Sequence, residues 1–89
     1  MAERSVEWVA CEMDNDMKGE VETQVNKAID QTDGTEEMIS KYLKNYFDGK
    51  FGPNWHCCVG KHFASYVTYQ SKHYIFFKVG EMCILLYKL

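Results

Sequence analysis

Two runs late in the chain, Tyr74–Val79 and Met82–Tyr87, are apolar on both of the faces that a strand presents. Neighbouring side chains of a strand point to opposite sides of its sheet. In the first run Ile75, Phe77 and Val79 share one face, and Tyr74, Phe76 and Lys78 share the other. In the second, Met82, Ile84 and Leu86 oppose Cys83, Leu85 and Tyr87. A layer of helices covers one face of such a sheet. The other needs a second cover, which is another protomer, a ligand, or both. The chain is therefore expected to dimerise or to hold a binding groove.

The rest of the chain supplies that helical layer. Asp14–Asn15–Asp16 caps a helix, and Met17, Val21, Val25, Ala28 and Ile29 recur on one face of it as far as Gln31. Thr32–Asp33–Gly34 makes a turn, and a second helix starts at Thr35 with Glu36 and Glu37 in its first turn. Its apolar face is Met38 or Ile39, Tyr42, Leu43, Tyr46 and Phe47, and Gly49 and Gly52–Pro53 are expected to stop it. Ser5–Cys11 reads as a first strand with Val6, Trp8 and Ala10 on one face. After Pro53, the runs Asn54–Val59, His62–Tyr69, Lys72–Val79 and Met82–Lys88 are broken by Gly60–Lys61, Gln70–Ser71 and Gly80–Glu81. The predicted order is β-α-α-β-β-β-β and the class α+β: two helices packed on an antiparallel sheet. With 89 residues, one domain over 1–89 is expected.

Charge is unevenly spread. Residues 1–38 carry three basic side chains against eleven acidic ones, a net of −8, whereas residues 39–89 carry seven lysines against two acids, a net of +5. The two halves should attract when packed. The first residues lack a basic segment followed by an apolar one, and Met82–Tyr87 is too short to span a bilayer. The expected location is the reducing cytosol with no membrane insertion, so Cys11, Cys57, Cys58 and Cys83 are expected as free thiols.

His56–Cys57–Cys58 invites a metal or a cysteine nucleophile. On a strand, however, only His56 and Cys58 share a face, and there is no Cys-x-x-Cys pair or second ligand cluster. Both thiols are expected to pack as small hydrophobes. No phosphate loop, carboxylate pair or triad is present, so no enzyme, metal or cofactor is expected. Tyr66, Tyr69, Tyr74 and Phe76, interleaved with lysines, offer a stacking platform for single-stranded nucleic acid as the alternative function. The acidic first half and the lack of an RNA-binding signature argue against that partner.

Within 50–89, Pro53–Asn54–Trp55–His56–Cys57, Val59–Gly60, Phe63, Ser65–Tyr66–Val67–Thr68, Lys72–His73 and Ile84–Leu85–Leu86 resemble the signature of the small cytoplasmic dynein light chains. The resemblance implies a non-catalytic, strand-exchanged homodimer of the cytoplasmic, microtubule-associated dynein complex, in which His62–Thr68 pairs with the partner's sheet. It implies clients such as the dynein intermediate chain: disordered segments, often with a Thr-Gln-Thr-like core, that add a strand by β-augmentation. Carried over by position, the edge strand that accepts the client is Lys61–Tyr69, with Lys61, Phe63, Ala64, Ser65, Tyr66, Val67, Thr68 and Tyr69 in contact. Tyr74, Phe76, Lys78, Cys83 and Leu85 line the floor, and Glu36 and Glu37 cap the client's glutamine. The implied dimer interface is Lys44, Trp55, His56, His62, Ser65, Tyr66 and Val67. His56 would then split the dimer on protonation, below about pH 5.

Four positions depart from that family's pattern: Tyr69 stands for His, Lys78 for Tyr, Ala64 for Gly and Glu37 for Lys. The charge reversal at Glu37 predicts a more basic client at that end of the groove.

Overall fold

Helix boundaries follow from side chains that satisfy the otherwise unpaired N–H groups of a first turn. In the computed structural model, which describes residues 6–32, 35–61 and 70–89, the Asp14 carboxylate accepts from the Met17 N–H at 2.8 Å. The Thr35 hydroxyl accepts from the Met38 N–H at 3.4 Å. The described elements are β1 (Val6–Glu12), α1 (Asn15–Gln31), α2 (Glu36–Phe51), β2 (Trp55–Gly60), β3 (Tyr74–Val79) and β4 (Met82–Lys88). Two helices thus pack on an antiparallel sheet in an α+β fold, as expected. The predicted strand His62–Tyr69 and most of the turn at 33–34 lie outside the described residues.

The strands are ordered β1-β3-β4-β2, all neighbours antiparallel. Gly80 enters the β3–β4 turn at φ 60°, the positive φ that a two-residue hairpin turn requires. One sheet face meets the helices. There Val21, Val25 and Ala28 of α1 and Ile39, Leu43 and Phe47 of α2 bury themselves with Trp55, Ile75, Phe77, Val79, Ile84 and Leu86. Each large side chain in that set contributes about 1.5–3 kcal/mol by leaving water. The Trp55 ring lies 5.1 Å from Phe47 and 5.9 Å from His73.

Between the helices runs a polar seam. Gln24, only 4% exposed, donates to Glu20 at 3.2 Å and accepts from the Tyr42 hydroxyl at 3.1 Å. The Tyr46 hydroxyl donates to Glu20, and Lys50 pairs with the same carboxylate at 3.2 Å. The Tyr46 bond holds the Glu20 carboxyl below its ordinary range despite partial burial, and the same bond raises the tyrosine's. Lys50–Glu20 also joins the basic and acidic halves of the chain.

Three local expectations are corrected. Gly49 does not stop α2, which continues to Phe51. The chain turns out of the helix only at Gly52, at φ 79° and ψ 156°, a conformation open almost only to glycine. Ala10 does not share a face with Val6 and Trp8, because the register shifts between Trp8 and Ala10. That bulge places Ala10 opposite Phe76 and Cys11 opposite Ile75. Of the alternatives at the start of α2, Ile39 is buried and Met38 is 44% exposed.

Candidate functional site

The sheet face turned away from the helices consists of three cross-strand rows. Antiparallel partners project to the same side, so the registers place the rows directly. Across the middle run Ala10, Phe76, Leu85 and Cys58. One end is Glu7, Lys78, Cys83 and Gly60, and the other is Glu12, Tyr74, Tyr87 and His56. The floor expected from the sequence, Tyr74, Phe76, Lys78, Cys83 and Leu85, is therefore one contiguous surface. Leu85 is 1% and Cys83 8% exposed, and neither belongs to the cluster that the helices form. Tyr74 and Phe76 are half-buried and Lys78 is exposed. The bulge, invisible in the sequence, adds Ala10. Strand parity after His56 adds Cys58, and Tyr87 completes the floor beside it.

At the margin of this face is β2, the last strand in the sheet order. The Cys83 thiol donates to the Lys61 carbonyl at 3.3 Å, so the chain just past β2 is tied to the end row of this face. Lys61, Lys78, Gly80, Glu81 and Cys83 enclose an open recess of about 410 Å³ there. At the opposite end of β2 the His56 ring stacks on Tyr87, centroids 5.4 Å apart and planes at 20°.

Three of the residues expected at a dimer interface meet at one carboxylate. Asp48 pairs with Lys44 at 2.5 Å and accepts the Trp55 backbone N–H at 2.7 Å. Burial raises the Asp48 carboxyl, but the Lys44 ammonium, the Trp55 N–H and the field of His56 outweigh it and hold the group below its usual value. The sequence reading missed Asp48; its spacing of four from Lys44 on α2 was the available signal. Trp55 requires a correction. Its ring is fully buried in the core of its own chain and presents no surface beyond it.

Glu36 and Glu37 are exposed in the first turn of α2. The other expected site residues, His62, Phe63, Ala64, Ser65, Tyr66, Val67, Thr68 and Tyr69, lie outside the described residues. Cys58 is also corrected. It is exposed, while Cys57 on the opposite face packs against the core, where burial pushes its thiol strongly up and keeps it protonated. Such a thiol is a poor nucleophile. Among the described residues no group of three or more His, Cys, Asp or Glu side chains is placed to hold a metal ion. No described helix is long and apolar enough to cross a membrane.

The same arrangement of helices and sheet recurs in solved structures. The dynein light chain-like domain of a Fasciola hepatica calcium-binding protein, in native crystals, matches with a TM-score of 0.77 at 24% identity. The match covers 97% of this chain and 92% of that one. A mercury derivative of that domain gives a TM-score of 0.80 at 22% identity, over 94% and 91% of the two chains. At these identities the likeness is one of fold. The sequence itself carries the assignment further, since the family model for dynein light chain type 1 matches residues 5–89. This chain belongs to the dynein light chain type 1 family.

Proposed function

We propose that this protein is a non-catalytic homodimeric hub that takes short, disordered client segments as added strands and holds two client chains side by side. The observation that carries the reading is the three-row sheet face opposite the helices, apolar through Phe76, Leu85 and Cys83 and ending at the marginal strand β2. In the proposed dimer, His62–Thr68 of one protomer pairs with the partner's sheet. The client pairs with that strand over Tyr74, Phe76 and Leu85, and Glu36 and Glu37 receive its glutamine. Main-chain hydrogen bonds then supply affinity, and the floor supplies selectivity.

Membership of the family supports the dynein intermediate chain, and other clients with a Thr-Gln-Thr-like core, as partners in the cytoplasm. Two identical grooves on one dimer would bind a dimeric client with a gain of about 10²–10⁴ over a single site, with no new contact. Calorimetric titration with a Thr-Gln-Thr peptide, alongside sedimentation of the protein, tests the proposal. One peptide per chain on a dimer is the expected result. A dimer that gives no heat and no shift in sedimentation with the peptide rules it out.

A further inference from the structure

The recess at the Gly60–Cys83–Lys78 row has a chemistry that peptide binding in general does not need. Its walls are Lys61, just past the end of β2, and Lys78, near the end of β3, with Cys83 of β4 also lining it. Among the described residues neither ammonium group is in an ion pair or a side-chain hydrogen bond. The only salt bridges formed by lysines there are Lys44–Asp48 and Lys50–Glu20. The Lys61 backbone is not loose, because the Cys83 thiol holds its carbonyl. Two acids are nearby: Glu81 on the hairpin turn lines the recess, and Glu7 of β1 is the cross-strand neighbour of Lys78. Neither pairs with the lysines, and the lining carries two cations against one anion.

Resting on the hub reading above, we infer that this recess is a subsite for a carboxylate side chain of the client, an Asp or Glu carried at one end of the bound strand. A strand laid over Phe76 and Leu85 must run out past Lys78 or past Tyr74, since those are the two ends of the face. At the Lys78 end an acidic side chain would meet two flexible ammonium donors over a thiol and a glycine. A basic side chain would meet the same two cations and be repelled.

The test uses the full-length protein and short peptides with a Thr-Gln-Thr core in an otherwise alanine background. A single Glu is placed at each flanking position in turn and compared with Gln at that position. At one position Glu should bind about threefold to fivefold tighter than Gln at low salt, the range of a partly exposed ion pair. The advantage should fade as salt is raised. In the Lys78→Gln and Lys61→Gln proteins the Glu-to-Gln ratio at that position should fall toward one, and Lys78→Glu should make Lys the preferred residue there. Equal affinities for Glu and Gln at every position, with binding intact, would overturn the subsite and leave the hub reading standing. Failure of every peptide to bind would overturn both.

Discussion

Asp48 shows how much one side chain can organise. It sits in the fourth turn of α2, yet its two oxygens reach forward to the Trp55 N–H and sideways to Lys44. Lys44 is well exposed, so the ion pair itself adds little. The bond from the backbone N–H to a partly buried carboxylate is the larger contribution. Asp48→Ala is expected to destabilise the protein by about 1–3 kcal/mol, read from urea unfolding at fixed protein concentration. The sign of the pH dependence follows from the carboxyl being held below its usual value. Such a group contributes fully above its unfolded value of about 3.9 and loses that contribution as pH falls through the lower, folded value. The gap between wild type and Asp48→Asn should therefore be widest near neutrality and close in acid. A gap that stays constant down to pH 2, roughly the floor of carboxylate titration, would show that Asp48 acts by shape alone.

Among the elements, α2 is anchored at its end from across the fold. Lys88 of β4 donates to the Phe51 carbonyl at 3.0 Å, and Gly52 then turns the chain toward β2. A Cβ on Gly52 would meet only Lys88 Nζ, at 3.7 Å, so the cost of Gly52→Ala is backbone strain on the order of 1–3 kcal/mol. Gly49→Ala should go the other way, by about 0.5–1 kcal/mol, because Gly49 is helical and a Cβ there meets nothing within 4 Å. Thermal melts of the two variants should move in opposite directions. The sequence marked both glycines as helix stops and ranked neither, since the distinction lies in a φ angle. Helices, strands β3 and β4 and the two-sided sheet were all legible, because periodicity and parity are written in side-chain type. The bulge in β1 was not, because an extra residue on an edge strand leaves no mark among Val9, Ala10 and Cys11. The exposure of Cys58 was hidden for a related reason: nothing in His56–Cys57–Cys58 says which parity faces the core.

For the whole molecule the open matter is assembly. His56 lies at the end of β2, stacked on Tyr87, with Asp48 and Lys44 close behind. If two copies meet along β2, His56→Lys places a permanent cation at that contact. Sedimentation at neutral pH should then show a monomer that keeps its helical circular dichroism. A persistent dimer would move the interface elsewhere.

The alternation of β3 and β4 also bears on how such a chain can change over generations. Odd-numbered residues of β3 and even-numbered residues of β4 serve the core, while their immediate neighbours form the opposite face of the sheet. A mutation at the exposed Lys78 can thus change that face without disturbing the core. In the proposed groove, the two faces can therefore change independently, one residue at a time.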